Sequence, residues 1–445
     1  MKSNGPVEAG GHPERGAIAS VAEGCSGFSI SRLPRMLFGP GRSGELAAIV
    51  REFGSRALVV VRGPGFTETA DWARLRDALE SAGVEVSVEA VPGEPSPALV
   101  DEIVARHGVN GPGSGPASGS GPASGPAPID VVVGIGGGSV LDTAKAVAGL
   151  LIPGDSVMDH LEGIGSQLPY RGPSVPFVAV PTTAGTGSEA TKNAVLSVRG
   201  AGGFKKSFRD ESLVAQVAVV DPDLLAGCPP ELIAGNGMDA LTQLLESYLS
   251  TRANPFTDAL ALSGLTCVRD GLGVWFEEAA AGWGAAGSGS VAAAARERMA
   301  YSALCSGICL AQAGLGAVHG LASPLGAQFP IPHGVACGAT LAAATRVNIA
   351  ALEGRDSGNV ALARYAAVGR ILTGQAGTDE GEARSALVSE LERLTARLGV
   401  PRLSTFGISE SSIPALVADS RGSSMKTNPI VLTDDEIASI LRASL

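Results

Sequence analysis

Residues 130–151 read DVVVGIGGGSVLDTAKAVAGLL, and their pattern sets the fold. Asp130-Val131-Val132-Val133 opens a short apolar run of strand character. Gly136-Gly137-Gly138-Ser139 forms a turn, and Val140 to Leu151 has helical character. Glycines let a backbone approach an anion closely, the free N–H groups of a starting helix point at it, and a serine hydroxyl adds a donor. The stretch therefore predicts strand, phosphate-binding turn and helix, although a glycine turn alone is equally compatible with a tight turn and no ligand.

The same alternation extends outward. Upstream, 57–61 (ALVVV) reads as a buried strand, 73–82 as helix, 84–88 as an alternating strand, and 97–107 as a helix with proline in its first turn. Downstream, 177–181 (FVAVP) is a strand leading into Thr182-Thr183-Ala184-Gly185-Thr186-Gly187-Ser188-Glu189, a hydroxyl-rich turn suited to sugar and phosphate oxygens. The stretch 218–222 (AVVDP) reads as the last strand of this half. Alternating strands and helices imply a mainly parallel, covered sheet. From residue 230 strands disappear and Ala- and Leu-rich helical stretches run to the C-terminus, interrupted at 281–290 and 405–425. The expected organisation is a disordered tail (1–28), an α/β domain (29–226) and an all-helical domain (227–445). A Gly/Ser/Pro/Ala low-complexity insert occupies 110–128, too polar and small to order itself. A cleft between such domains is a common ligand site.

The helical half carries the second chemical signal, the stretch 307–340 (GICLAQAGLGAVHGLASPLGAQFPIPHGVACGAT), with two of the chain's five histidines, His319 and His333. Asp239 and Gln243 stand at i and i+4, on one helix face. Together Asp239, Gln243, His319 and His333 form an oxygen and nitrogen set suited to one divalent metal. The apolar run 303–318 reads as one buried helix, interrupted by Gln312 and too short for a membrane span.

The chain has 445 residues, 45% of them hydrophobic and 17% charged, a globular composition long enough for two domains. Its net charge of -11 argues against a nucleic-acid or anionic-membrane partner. The six cysteines show no CxxC pair, and Cys305 and Cys309 read as two small buried side chains. The first residues lack an apolar signal core, so a cytoplasmic location is expected.

GGGSVLDTAK (136–145), PTTAGTGSE (181–189), DP (221–222), GMDAL (237–241), GAVHGLA (316–322) and PHG (332–334) together resemble the iron-containing (group III) alcohol dehydrogenase family, in the family's order. NPIVLT (428–433) resembles it too. The resemblance spans about residue 33 to the end, apart from the insert. It implies a Rossmann-like dinucleotide-binding α/β domain, a helical domain, and metal and substrate between them. By the same resemblance, Gly137, Gly138 and Ser139 hold the pyrophosphate. Thr182, Thr183, Thr186 and Ser188 contact the nucleotide, and Lys205 the cofactor ribose. Asp142 matches the motif and suits a helix start. Asp239, Gln243, His319 and His333 map onto the metal set, with Fe2+ or Zn2+ as the ion.

Three departures stand out. The family's set is one Asp and three His, whereas Gln243 here offers a neutral amide oxygen. Ser323 stands where a further proton-transfer histidine is common. Val61-Arg62-Gly63 has no acidic residue to hold the adenosine ribose, which leaves NADP open, although NAD is the expected cofactor. The expected activity is hydride transfer between nicotinamide and a small alcohol, aldehyde or hydroxy acid. His319, Ser323 and His333 lie at the reacting centre, in a homodimer. Alternatives are oxidation and decarboxylation of a β-hydroxy acid such as a peptide C-terminal threonine, a lyase or cyclase related to dehydroquinate synthase, and a non-catalytic homologue.

Overall fold

The computed structural model describes residues 27–108, 128–200, 202–282 and 289–445. The tail expected over 1–28 falls almost wholly outside them, as does the insert.

The N-terminal half is built on a six-stranded, all-parallel sheet: β1 (Arg35–Phe38), β2 (Arg56–Arg62), β3 (Glu85–Val91), β4 (Val131–Gly136), β5 (Phe177–Pro181) and β8 (Val217–Val220), in the order β1-β8-β5-β4-β2-β3. Helices α1 (Leu46–Arg51), α2 (Pro64–Thr67), α3 (Ala70–Ser81), α4 (Pro97–His107) and α5 (Gly138–Leu150) accompany it. The apolar run of β2 is buried on both faces. Leu58 and Val60 join one core with residues of α4 and α5, while Ala57, Val59 and Val61 join the other with α1 and α3. That two-sided burial is why the strand reads as an unbroken apolar run. Thr69 and Ser96 cap α3 and α4 through their side-chain oxygens.

Strand order reverses direction at β2, which pairs with β3 on one side and β4 on the other. In open parallel sheets the crevice at such a switch point is where ligands bind. Here it is framed by the ends of β2 at Arg62, which is exposed, and of β4 at Gly136. After β5 the chain makes an antiparallel hairpin, β6 (Asn193–Val198) with β7 (Phe204–Arg209), before returning to the sheet at β8. The fully buried Asp221 just past β8 accepts from the backbone N–H groups of Gly41 and Ser43, fastening the start of the fold to its last strand.

The second half is helical: α6 (Pro230–Leu249), α7 (Pro255–Ala280), α8 (Ser290–Ala313), α9 (Ala317–Gln328), α10 (His333–Arg355), α11 (Val360–Thr373), α12 (Glu380–Arg397), α13 (Ile413–Asp419) and α14 (Asp434–Ser444). The stretch 303–318 is not one helix. It breaks at Gly314-Leu315-Gly316, with Gly314 at φ 78°, and α8 and α9 meet at 101°. The break sets His319 in the first turn of a new helix. The interruption expected over 405–425 also holds the short α13. Helix α10 is apolar and long enough to cross a membrane by composition, but most of it is buried against other helices, as a core helix is.

Candidate active site

Helices α6 and α10 cross where Gly334 meets Gly235. A Cβ on Gly334 would lie 2.2 Å from the Gly235 carbonyl oxygen, so only glycine permits this approach. One turn further along α6, Asp239 comes up against two residues of α10, His333 and Cys337, themselves a helical turn apart. His319 enters from α9. His319 Nε2 stands 3.2 Å from Asp239 Oδ1, and His333 Nε2 3.7 Å from the same oxygen. Cys337 Sγ is 3.8 Å from His319 Nε2 and 3.9 Å from His333 Nε2. One donor atom from each of these four residues lies within 4.8 Å of all the others.

Glu246, seven residues after Asp239 on the same face of α6, supports His319. Its Oε2 lies 2.7 Å from His319 Nδ1, and its Oε1 accepts from the Val318 backbone N–H at 2.6 Å. The carboxylate thus satisfies the start of α9 and fixes the imidazole with Nε2 turned toward Asp239. That is the outer-shell arrangement by which metal-binding histidines are oriented. Gln243 is buried, and its amide oxygen accepts from the Ser306 hydroxyl at 2.8 Å.

Asp239 and His333 are in their donor forms, whereas His319 and Cys337 carry protons that a cation would displace. Burial works against the Asp239 anion, yet His333, His319 and the Gln243 amide hold its carboxyl down at about 2. Burial and the nearby Lys205 ammonium push His333 down to about 3, leaving a neutral imidazole with a free lone pair. Burial opposes charge on His319, but Cys337, Asp239 and Glu246 together raise it well above its ordinary value. Burial pushes the Cys337 thiol up to about 11. Two neutralisable imidazoles, a carboxylate and a thiol converging on one point fit a divalent transition metal. The unpartnered Nδ1 of His333 is among the few buried polar atoms without a hydrogen bond among the described residues.

The sheet supplies the other wall. Gly137 and Gly138 open α5, and no side chain caps it. The turn after β5 closes over them: a Cβ on Gly138 would meet Thr186 at 2.7 Å, and one on Gly137 would meet the Thr183 hydroxyl at 3.0 Å. Gly137, Gly138, Ser139, Thr182, Thr183 and Thr186 are all partly exposed at this junction. Uncapped helix N–H groups beside threonine hydroxyls, at the switch point of a parallel sheet, fit a dinucleotide pyrophosphate.

Ser188 has a different place. It is buried, donates to Asp142 Oδ1 at 2.5 Å and accepts from Lys145 Nζ at 3.0 Å. The fully buried Lys145 also donates to Thr191 Oγ1 and to the carbonyls of Ser188 and Asn193, and burial lowers it to about 8. Asp142 accepts from the Val195 N–H as well. These three residues fasten the threonine turn and the β6–β7 hairpin to α5.

Lys205, on β7, reaches across to α9, where its side chain would lie 3.9 Å from a Cβ on Gly326, and its charge bears on both Asp142 and His333. Ser323 is exposed, one turn beyond His319 on α9, and makes no hydrogen bond among the described residues. Sequence reading had not singled out Glu246 or Cys337. Each was signalled only by helical spacing, from Asp239 to Glu246 and from His333 to Cys337.

Residues 34–222 match the family model for iron-containing alcohol dehydrogenase, and residues 233–445 match that for the C-terminal part of the Fe-containing alcohol dehydrogenase family. Long-chain-alcohol dehydrogenase 1 of Geobacillus thermodenitrificans is 32% identical over 429 residues, covering 94% of this chain and 97% of its own. Lactaldehyde reductase of Escherichia coli is 32% identical over 388 residues, covering 85% and 89%. Among solved structures, a 1,3-propanediol oxidoreductase superposes with a TM-score of 0.77 at 27% identity, covering 94% of this chain and all of its own. Sulfoacetaldehyde reductase from Bifidobacterium kashiwanohense, in complex with NAD+, does so with 0.75 at 27% identity, covering 94% and 99%. With a Rossmann-like sheet, a histidine and carboxylate set facing it, and matches running through both halves, the chain belongs to the iron-containing alcohol dehydrogenase family.

Proposed function

We propose that this NAD-dependent oxidoreductase interconverts a small alcohol and its carbonyl compound, with a divalent metal held by Asp239, His319 and His333. The observation that carries the reading is that the threonine turn over the uncapped, glycine-led helix start is tied through Ser306 to Gln243, one turn from Asp239 in the convergent His/His/Asp set.

When bound, the metal supplies Lewis acidity that polarises the substrate oxygen, and the nicotinamide supplies or accepts the hydride. The chain's residues do the positioning. The N–H groups of Gly138 and Ser139 bind the pyrophosphate, and the hydroxyls of Thr182, Thr183 and Thr186 bind the adjoining oxygens. Lys205 anchors the cofactor's nicotinamide-side ribose next to the histidines. Glu246 holds the His319 proton on Nδ1, so that Nε2 presents its lone pair. The Asp239 carboxylate remains ionised at neutral pH and draws the cation to the bottom of the cleft. With no imidazole at position 323, the exposed Ser323 hydroxyl and solvent carry the alcohol proton away. Iron or zinc each fits the donor set, and NAD is favoured over NADP.

The test is nicotinamide reduction with a panel of primary alcohols and diols, and nicotinamide oxidation with the matching aldehydes, on anaerobically purified protein supplied with Fe2+ or Zn2+. Asp239→Asn and His333→Ala should each lose about 100-fold or more in kcat/KM while still binding NADH. Equal turnover in these variants would remove the metal from the reaction, and NADH binding without turnover of any substrate would remove the reaction itself.

A further inference from the structure

Two side chains could complete the set begun by Asp239, His319 and His333, and the geometry separates them. Gln243 occupies the helical position one turn after Asp239, but its amide is already committed. The oxygen accepts from the Ser306 hydroxyl at 2.8 Å, and the same hydroxyl reaches the Gly185 carbonyl of the threonine turn at 3.3 Å. To ligate a cation that oxygen would have to share its two lone pairs between Ser306 and the ion. Cys337 has no such commitment. Its Sγ faces the two imidazole Nε2 atoms at 3.8 and 3.9 Å and is wholly buried beneath them. In a tetrahedral zinc site, donors about 2.0–2.1 Å (N, O) and 2.3 Å (S) from the ion lie about 3.3 Å (N to O) and 3.6 Å (S to N) apart. The spacings found here, 3.2 and 3.7 Å for nitrogen to oxygen and 3.8 and 3.9 Å for sulfur to nitrogen, need only a slight contraction.

We propose that Cys337 is the fourth protein ligand of the metal, through its thiolate, and that Gln243, held by Ser306, is not a ligand. This rests on the metal-assisted reading above. The binding step balances as follows: a metal–sulfur bond forms as the Cys337 S–H bond breaks, a metal–nitrogen bond forms as His319 Nε2 gives up its proton, and both protons leave to solvent. Two consequences follow. A carboxylate and a thiolate with two neutral imidazoles cancel the charge of a divalent ion, where one carboxylate and three imidazoles would leave a unit positive charge. A soft sulfur donor also shifts the site's preference from Fe2+ toward Zn2+. Because Cys337 is buried whereas the His333 side chain is 27% exposed, the sulfur lies at the closed end of the set and His333 at its open one.

The test is anaerobic titration of the full chain with Co2+, following the visible ligand-field bands and the near-ultraviolet thiolate-to-cobalt charge-transfer band. Wild-type protein should develop both at one equivalent. Cys337→Ser should keep the visible bands, lose the charge-transfer band and bind cobalt about tenfold or more weakly, whereas Gln243→Ala should keep the charge-transfer band. X-ray absorption of the zinc-loaded wild type needs no variant and should show one sulfur at about 2.3 Å. Visible bands without charge transfer in the wild type, or a charge-transfer band that survives in Cys337→Ser, would overturn the ligand assignment and leave the metal-assisted reaction standing. No cobalt or zinc bound by the wild type would overturn both.

Discussion

Replacing Glu246 by glutamine tests how the protein prepares His319. The carboxylate offers two acceptor oxygens, one to the Val318 N–H at 2.6 Å and one to His319 Nδ1 at 2.7 Å, and it is 6% exposed. An amide of the same shape has one acceptor and one donor, so it cannot serve both. If its oxygen keeps the Val318 N–H, its NH2 confronts His319 Nδ1 and forces the imidazole proton onto Nε2, the atom turned toward Asp239 and Cys337. If it turns the other way, the Val318 N–H is buried without an acceptor, at a cost of about 1–3 kcal/mol. Loss of such an outer-shell partner lowers metal affinity about 10- to 100-fold. The assay is zinc competition against a chromophoric chelator under anaerobic conditions, with thermal melts in EDTA alongside. The variant should bind zinc at least tenfold more weakly while melting as one folded species. Zinc affinity within about twofold of wild type would refute the idea that Glu246 sets the His319 tautomer.

Burial raises the Glu189 carboxyl from 4.5 to about 7. Its favourable contribution is therefore complete below the ordinary carboxylate range and is lost as pH rises through about 7, a swing of about 3 kcal/mol. Glu189→Gln should flatten the fall in unfolding free energy between about pH 5 and 8, read from urea melts across that range. Gly334→Ala, which drives a methyl into the Gly235 carbonyl, should cost about 1–3 kcal/mol and weaken zinc binding. Gly354→Ala, on the same helix with nothing within 4 Å, should be neutral or stabilising by up to about 1 kcal/mol. Lys145→Met leaves Asp142 and the acceptors of Ser188, Thr191 and Asn193 buried without their cation, at about 3–5 kcal/mol. Loosening the threonine turn should also raise KM for NAD, measurable by initial rates in any variant that remains folded.

Much of the sheet was legible because a strand covered on both faces reads as an unbroken apolar run, and 57–61, 131–133 and 177–181 are such runs. Helix 97–107 was equally plain, opened by Pro97 with Ser96 as its cap. The break between α8 and α9 was not, because the residues around Gly314 and Gly316 are as apolar as a buried helix, and only their backbone geometry turns the chain. Asp239, His319 and His333 could be nominated from spacing and residue type. The rest of the site depends on which helix faces meet. Cys337 is indistinguishable in sequence from a small core residue until the crossing at Gly235 and Gly334 brings it under the two imidazoles. Glu246 reads as one more charge on a helix until α9 starts against it. Ser188 illustrates the reverse: its motif suits a nucleotide contact, but its hydroxyl is held between Asp142 and Lys145.

In the reaction proposed here a hydride passes directly between a substrate carbon and the nicotinamide at this site. The most direct test is oxidation of a C1-deuterated primary alcohol that the enzyme turns over, with the NADH formed analysed by mass spectrometry. The account predicts one deuterium in the nicotinamide per turnover and none acquired from deuterated solvent with unlabelled alcohol. Turnover that leaves the nicotinamide unlabelled, or that labels it from solvent, would contradict it.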